Sequence, residues 1–245
     1  PPRSTLFPYT TLFRSHDRIR GSGSFDETTE KIILLRNEKI KVAVSSTVSV
    51  GNKDEMINVM KHSCLYGANS WGYSRYIPER GHCGISPVEY LNLMKDIAEQ
   101  QSLNQNFFET KDFSVQLKEP LLSILGENQV LEKSISGGCG LGSSRMAFLP
   151  DGSIMGCRRN KDSFLGRWSN KGDILKNFLH HPKMNEYRDF KKLEYCRECN
   201  FLYACRGCRA AAFASTGSSF GKDPQCPVVF KMSSDERKYN LTRKL

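Results

Sequence analysis

A dense run of cysteines in the C-terminal half constrains the fold of this chain more than any other feature. Four cysteines lie within thirteen residues, a fifth follows, and two more precede them around a Pro-Asp-Gly turn; together they are Cys196, Cys199, Cys205, Cys208, Cys226, Cys139 and Cys157. In a Cys-x-x-Cys pair a tight turn brings two sulfurs to a common point, where both thiolates can bind one metal centre. The pattern therefore predicts a metal-binding domain.

The spacing of the cysteines leaves the identity of the metal open. Two Cys-x-x-Cys pairs commonly hold a structural zinc ion, but zinc ribbons usually separate the pairs by more than the five residues found here. Iron–sulfur clusters are built from thiolates and tolerate crowded spacings. Disulfides are a third reading, which the absence of a secretory signal disfavours. The spacing favours iron–sulfur over zinc. With no secretory signal in the sequence, the protein is expected to be cytoplasmic.

The order of the seven cysteines resembles the SPASM domain, the C-terminal extension of many radical S-adenosylmethionine (SAM) enzymes that modify peptides or proteins. The resemblance covers residues 139–227 and includes the flanking words Leu149-Pro-Asp-Gly152 and Cys208-Arg-Ala-Ala-Ala-Phe213. One departure affects the run itself. The family usually has three residues between the last two cysteines of the run, and here only Arg206 and Gly207 intervene.

The resemblance implies two auxiliary [4Fe–4S] clusters with interleaved ligands. One cluster is expected on Cys196, Cys199, Cys205 and Cys226. The other is expected on Cys139, Cys157 and Cys208, which leaves it without a fourth cysteine ligand. The shortened gap before Cys208 bears on this second site.

The region before the cysteines alternates between helical and strand patterns. The expected elements are a helix from Phe25 to Arg36 capped by Ser24, a buried strand at 40–48, a helix at 54–65 ended by Gly67, a strand at 69–77, and a helix from Pro87 to about Gln101 capped by Ser86. Alternation of this kind predicts a parallel sheet with crossover helices. The fold class is therefore α/β.

This region also resembles the later half of the radical SAM partial barrel. Residues 16–25 resemble the loop after the fourth strand of the family, and residues 47–52 and 75–78 resemble the edges of the fifth and sixth strands. The resemblance implies that Thr47, Asn52 and Arg75 line a cavity for SAM. Read without it, Thr47 and Asn52 are ordinary turn residues. The expected architecture is the C-terminal half of a partial (β/α) barrel followed by a small cysteine-rich iron–sulfur SPASM domain.

The expected boundaries are a partial barrel at 16–110, a linker at 111–136 that is helical around Val115 to Leu125, a SPASM domain at 137–230 and a tail at 231–245. Residues 1–15 resemble a translated sequencing adapter and are expected to be non-native, so the chain is expected to be a fragment that opens near His16. The sequence contains no Cys-x-x-x-Cys-x-x-Cys loop, which holds the catalytic cluster in the family. The full-length parent is therefore expected to be a radical SAM enzyme, and this fragment to be inactive alone.

The expected partners follow from the same resemblance. The parent is expected to use SAM, a peptide or protein substrate, and an external electron donor such as flavodoxin or ferredoxin. The formal net charge of +10 is read as a solvated basic surface, without nucleic-acid binding or a membrane span. The alternative is a stand-alone zinc or iron–sulfur module with a basic surface for a partner.

Four further residues have simpler interpretations. Cys64 falls on the apolar face of a helix and is expected in the core. Cys83 is expected to be a loop cysteine. His180 and His181 resemble a metal pair, but neighbouring residues on a helix point apart, which indicates a surface helix end.

Overall fold

The computed structural model describes residues 14–78, 84–116, 119–125, 137–170 and 172–228. These residues divide into two compact units. The first contains residues 14–76 and 92–116, and the second contains the described residues of 77–91 and 119–228. One of the boundaries between them, at 91/92, falls within the helix Pro87–Leu103. Among the described helices, none is both long and apolar enough to cross a membrane.

The first unit is a parallel sheet flanked by helices. Its elements are α1 (Arg14–Arg20), α2 (Ser24–Asn37), β1 (Ala43–Val48), a 3-10 turn (Lys53–Glu55), α3 (Met56–Leu65), β2 (Ser70–Arg75), most of α4 (Pro87–Leu103), α5 (Gln105–Thr110) and β3 (Ser114–Gln116). The strand order is β1-β2-β3, and both pairs are parallel, with Ala43 opposite Ser70 and Ser70 opposite Ser114. The predicted mixed α/β fold is confirmed.

Large apolar side chains form the core of this unit. Met60, Trp71, Met94 and Ile97 are fully buried, and Phe108 packs against Phe113 with ring centroids 5.1 Å apart. Removing such a side chain from water contributes about 1.5–3 kcal/mol each. Cys64 is 2% exposed, which confirms its predicted place in the core. Ordinary hydrophobic burial therefore holds this unit together.

Strand β1 differs from the prediction of a fully buried strand. Ala43, Ser45 and Thr47 are exposed, whereas Val48 is buried. The strand lies at the end of the described sheet, and side chains alternate between the two faces of a strand. One face of β1 is therefore exposed, and it carries the side chains of Ala43, Ser45 and Thr47.

The segment expected as a loop at 16–25 is largely helical, and the cap expected from Ser24 is wrong. Gly23, with φ of 78°, precedes the first helical residue of α2. The Asp17 carboxylate accepts the N–H groups of Gly23 at 3.0 Å and Phe25 at 2.9 Å. A side chain from α1 thus satisfies the free donors at the start of α2, which the local sequence around Ser24 does not reveal.

The helix expected around Val115 to Leu125 is also wrong. Val115 lies in β3 opposite Trp71, and the chain then forms a 3-10 turn at Pro120–Ile124. Glu119 is extended, with φ of −82° and ψ of 131°, because the residue before a proline avoids the α region. Strand pairing on one side and Pro120 on the other leave no room for a continuous helix.

The second unit is built from short strands, helices and 3-10 turns. It contains the start of α4, the antiparallel strands β4 (Ala147–Phe148), β5 (Ser153–Met155) and β6 (Phe164–Arg167), helices α6 (Gly172–His180), α7 (Pro182–Arg188) and α8 (Arg209–Thr216), and 3-10 turns at Pro120–Ile124, Lys161–Ser163 and Phe190–Lys192. All of these elements are short. The Pro-Asp-Gly turn joins β4 to β5, with the Leu149 N–H donating to Ser153 O at 2.9 Å.

Two predicted helix signals are confirmed by their hydrogen bonds. At the start of α4, the Ser86 hydroxyl and Glu89 form a reciprocal capping box: Ser86 Oγ accepts the Glu89 N–H, and Glu89 accepts the Ser86 N–H at 3.2 Å. At the end of α3, Gly67 has φ of 90° and donates its N–H to Cys64 O. Both signals lie within a few residues of the helix end they fix, so local sequence suffices to predict them.

Candidate metal centre

The cysteine run folds into tight turns between the 3-10 turn Phe190–Lys192 and helix α8. The Cys199 N–H donates to Cys196 O at 2.9 Å, and the Cys205 N–H donates to Phe201 O at 2.8 Å. Cys205 is 5% exposed, and Cys196 and Cys199 are half-buried. The turns bury these thiols within a short stretch of chain, as the Cys-x-x-Cys spacing predicts.

The environment of these thiols disfavours isolated thiolates. Burial raises the pKa of Cys205, and the charges of Cys226, Asp223 and Cys196 raise it further, whereas the Gly207 N–H lowers it. Burial also raises the pKa of Cys196; the nearby Arg209 guanidinium opposes this, and the Cys199 thiol and Asp223 add to it. Four cysteines predicted as one ligand set, namely Cys196, Cys199, Cys205 and Cys226, are thus close enough for their charges to interact.

Backbone N–H groups point at two of the sulfurs. The Gly207 N–H donates to Cys205 Sγ at 3.3 Å. Burial raises the pKa of Cys199, while the Phe201 N–H hydrogen-bonds to that thiol and lowers it. N–H groups aimed at sulfur favour the thiolate form and tune a metal bound to it.

The shortened gap between Cys205 and Cys208 is accommodated by two left-handed residues. Arg206 has φ of 62° and Gly207 has φ of 59°. A β-carbon on Gly207 would lie 2.7 Å from Arg209 Nη2 and 2.9 Å from Asp223 Cβ, so only glycine fits there. The left-handed conformation is unfavourable for arginine, and its hydrogen bonds must hold it in place.

The Arg206 guanidinium is buried and donates only to backbone carbonyls in the described part of the chain. It donates to Tyr203 O at 2.7 Å, to Cys139 O at 2.9 Å, to Gly137 O, and more weakly to Leu202 O. Its planar group also lies over the Phe190 ring. Arg206 therefore ties the cysteine run to the backbone around Cys139, a role that its position in the sequence does not reveal.

The glycines before Cys139 allow this close approach. The Cys139 N–H donates to Cys205 O at 3.1 Å. Gly138 has φ of 75°, and a β-carbon there would overlap the Cys205 carbonyl. The absence of a side chain at Gly138 therefore leaves room for the backbone of Cys205.

Cys157 lies in a loop held by a polar network. Ser163 Oγ accepts the Cys157 N–H at 2.9 Å and donates to the Asn160 carbonyl at 2.7 Å. Ser219 Oγ donates to Asp162 Oδ2 at 2.8 Å, and Asn160 Nδ2 donates to Ser219 Oγ at 3.0 Å. Cys139 and Cys157 both pack against the apolar core of Leu141, Ile154, Leu165, Met184 and Tyr187.

Asp223 connects the two predicted ligand sets. Its Oδ2 accepts the Cys208 N–H at 2.7 Å, and its backbone carbonyl accepts the Cys226 N–H at 3.1 Å. Cys208 itself packs with Ala210 and Ala211, apart from the core that borders Cys139 and Cys157. Whether Cys208 shares a cluster with those two cysteines stays a prediction.

The residues predicted to line a SAM cavity lie at the carboxyl ends of β1 and β2. Thr47 and Asn52 line a pocket of about 260 Å³ beside β1, and Arg75, opposite Val48, is buried. Asn52 also closes its own turn, since Oδ1 accepts the Ser49 N–H at 2.7 Å and Nδ2 donates to Thr47 O at 3.0 Å. These bonds favour the turn-residue reading of Asn52, and SAM binding by the three residues stays a prediction.

The histidine pair has the structural role expected of a surface helix end. His180 is the exposed last residue of α6, and the His181 ring accepts the Lys183 N–H as the cap of α7. Cys83 lies outside the described residues. Within the ranges that the structure describes, no three side chains from His, Cys, Asp or Glu are arranged to hold a single metal ion.

Comparisons with known proteins give distant relatives. No protein-family model matches the chain. The AdoMet-dependent heme synthase of Methanosarcina barkeri is 24% identical over 241 residues, covering 86% of this chain and 63% of the relative. The enzyme of the same name from Nitratidesulfovibrio vulgaris is 25% identical, covering 86% and 61%. The chain therefore spans less than two thirds of the length of either relative.

Solved structures share the fold at lower identity. SuiB from Streptococcus suis, solved with bound S-adenosylmethionine, matches with a TM-score of 0.60 and 13% identity, covering 82% of this chain and 48% of SuiB. The protein anSMEcpe, solved with AdoMet and the Kp18Cys peptide, matches with a TM-score of 0.57 and 16% identity, covering 86% and 59%. The mixed α/β fold of this chain thus resembles that of two proteins that bind AdoMet.

Proposed function

We propose that this chain is the C-terminal part of a radical SAM oxidoreductase or maturase, in which a SPASM domain binds two auxiliary [4Fe–4S] clusters. The first unit corresponds to later strands of a partial (β/α) barrel. The distant relatives, which are AdoMet-dependent heme synthases, and the solved structures, which contain bound S-adenosylmethionine, support the SAM dependence of the parent. The seven-cysteine order supports the auxiliary clusters.

The observation that carries the proposal is the chemistry around the thiols of the run. Two arginines, Arg206 and Arg209, are each 4% exposed beside these cysteines. Burying a cation is costly unless an anion compensates it. Metal-bound thiolates supply that negative charge, so the buried guanidinium groups and the N–H groups aimed at sulfur fit an anionic cluster.

The spacing of the cysteines favours a cluster over a single zinc ion. Zinc ribbons usually separate two Cys-x-x-Cys pairs by more than the five residues that lie between Cys199 and Cys205. A cluster has an inorganic core of its own and holds its thiolates farther apart, and when bound it supplies a centre that accepts or donates single electrons.

The chain's own residues then have defined tasks. Arg206 fixes the run against the Cys139 segment through carbonyl contacts. Asp223 positions the N–H groups of Cys208 and Cys226. The Ser163 hydroxyl fixes the Cys157 loop. In the parent, an external donor such as flavodoxin or ferredoxin supplies the electrons.

Two substrate classes have support. The peptide in the anSMEcpe structure supports a peptide or protein substrate. The curated relatives, both named as heme synthases, support a tetrapyrrole instead. We favour the peptide because the seven-cysteine SPASM order resembles that of peptide-modifying enzymes. Changes in the EPR spectrum of the reduced clusters, on adding a cysteine-containing peptide or a tetrapyrrole, distinguish the two.

Anaerobic reconstitution with iron and sulfide tests the proposal. We expect brown protein with about eight iron atoms per chain, as two [4Fe–4S] clusters require. With dithionite and SAM added, we expect no 5′-deoxyadenosine above a blank without protein, because the chain has no Cys-x-x-x-Cys-x-x-Cys loop. Colourless, zinc-loaded protein would favour the stand-alone module. Formation of 5′-deoxyadenosine would mean that the cysteines of the run perform the cleavage themselves.

A further inference from the structure

Arg209 is the first residue of α8 and has an unusual environment. The side chain is 4% exposed, and its Nη1 donates to Ser219 O at 3.2 Å and to Gly221 O at 2.9 Å. Its other two nitrogens, Nε and Nη2, are buried and make no hydrogen bond of regular geometry with the residues that the structure describes. Buried polar groups are nearly always hydrogen-bonded, so a buried guanidinium with only one of its three nitrogens in a regular hydrogen bond requires an explanation.

The free side of the guanidinium faces the cysteine run. Its charge lowers the pKa of Cys196 against the effect of burial, and a β-carbon on Gly207 would lie 2.7 Å from Nη2. The absence of a side chain at Gly207 therefore leaves room for the guanidinium beside the cysteine run. The Asp223 side chain borders the same space from the other direction, so the local charge is not that of Arg209 alone.

Arg206 provides an internal comparison. Both arginines are equally buried, but the Arg206 guanidinium is occupied by backbone carbonyls. Burial lowers the pKa of Arg206, and so does the neighbouring Arg209 charge, whereas Cys139 and Cys205 raise it. Two like charges buried together need compensation by an anion. The Arg206 guanidinium donates to backbone carbonyls, whereas Arg209 has two nitrogens and a positive charge available to a group bound at the thiols.

We propose that Arg209 is a built-in counter-cation for the cluster on Cys196, Cys199, Cys205 and Cys226, which raises the reduction potential of this cluster and favours its assembly. The inference rests on the proposed function. The electron that reduces the cluster adds one negative charge to it, and a buried cation stabilises the more negative state. Arg209 acts through the charge it places there, and it is a tuning residue rather than a catalytic one.

The test uses the full chain and three variants, reconstituted in parallel. R209Q removes the charge, R209K keeps the charge but replaces the planar guanidinium with a single ammonium nitrogen, and R197Q removes an exposed charge next to Cys196 as a matched control. EPR-monitored redox titration with dithionite as the electron source measures the potential of each cluster, and iron analysis measures assembly.

We expect R209Q to shift the ratio of reduced to oxidised cluster about ten-fold toward oxidised at a fixed ambient potential, which is about 59 mV for a one-electron couple. The second cluster should shift less. R209K should restore most of the wild-type value, and R197Q should match wild type because water screens an exposed charge.

Two results of the titration would overturn the inference. If R209Q leaves the reduction potential of the cluster unchanged, Arg209 has no electrostatic role. If R209K shifts the potential as much as R209Q does, Arg209 acts only on the turn at Ser219 and Gly221. If R209Q assembles no cluster, iron content decides: retention by R209K supports the charge role, and loss in both variants refutes it. If the wild-type protein binds no iron, the proposed function itself is refuted. If R209Q assembles the cluster at an unchanged reduction potential, the proposed function stands and only the role of Arg209 is refuted.

Discussion

The two units of this protein are stabilised by different physical means. In the first unit, Trp71, Met60 and Met94 are fully buried beside a parallel sheet, and hydrophobic burial suffices to explain its stability. In the second unit, short elements surround buried polar and charged groups, among them Arg206, Arg209 and Asp223. The core of the second unit depends on polar and charged groups that hydrogen-bond or pair with one another. Its stability should therefore change with metal binding, charge substitutions and pH, whereas the stability of the first unit should not.

Loss of a cysteine ligand should have the largest effect and fall on the second unit alone. C205A removes a buried thiol of the predicted first cluster, and we expect the chain to lose about half of its iron, the share of one of two clusters. Iron and sulfide analysis after reconstitution measures this. C64A, which removes a buried core cysteine, is the matched control and should keep all of the iron. Full iron in C205A would contradict the ligand assignment.

The converse substitution should damage the first unit alone. W71A deletes a fully buried indole whose Nε1 donates to Ser46 Oγ at 2.9 Å, and should cost about 3–5 kcal/mol of unfolding free energy. Hydrogen exchange of peptides from α3 and β2 measures this loss. W168A is the control, because Trp168 is 54% exposed, and surface substitutions usually change stability by about 0.5 kcal/mol or less. Iron loss in W71A would show that the two units are not independent in stability.

The polar network at Asp162 should give the second unit a pH dependence. Burial raises the pKa of Asp162, but hydrogen bonds from Lys183, Ser219 and Tyr187, with the Lys183 charge, bring it below its ordinary value of 3.8. A lowered carboxyl pKa adds stability above the unfolded value, and this stability is lost as pH falls through the folded value.

D162N should therefore cost the second unit about 1–3 kcal/mol at pH 7, since it weakens the bonds to Lys183 and Ser219. As the pH falls below 3.8 and then through the lowered pKa of the folded state, the difference from wild type should shrink, because Asp162 then becomes protonated as well. Denaturant unfolding of the metal-free chain across this range measures both. D54N, at an exposed carboxyl, serves as the control. If D162N and wild type differ by the same unfolding free energy at pH 7 and at acidic pH, the effect comes from the shape of the side chain and not from its charge.

The smallest expected effect concerns the turn after β1. N52A removes the side chain that accepts the Ser49 N–H and donates to Thr47 O, and should cost the first unit about 1 kcal/mol. N52D keeps the acceptor and loses the donor, so its cost should be intermediate. Hydrogen exchange in residues 43–56 measures both. A SAM-binding defect in N52A at unchanged stability would instead restore Asn52 to the predicted SAM cavity.

The local signals in the sequence were the reliable ones. The Ser86 to Glu89 capping box, the stop at Gly67 and the Pro-Asp-Gly turn each depend on residues within a few positions of one another, and the structure contains all three. The period of the apolar residues likewise predicts the parallel α/β half. Among the wrong predictions, the Ser24 cap and the helix at Val115 are cases in which a partner on another element prevails: Asp17 of α1 for α2, and Trp71 of β2 for β3.

By itself, the sequence determined which side chains are available for chemistry: seven cysteines in a fixed order, with the turns that bring neighbours together. Only the tertiary structure decided what surrounds them. It buries Arg206 on the backbone around Cys139, leaves two Arg209 nitrogens buried outside any regular hydrogen bond with the described residues, and ties the Cys157 loop to Ser219 through Asn160. The Arg206 and Asn160 contacts join residues 67 and 59 positions apart, and spacing along a chain carries no information about burial or charge brought in from such distances.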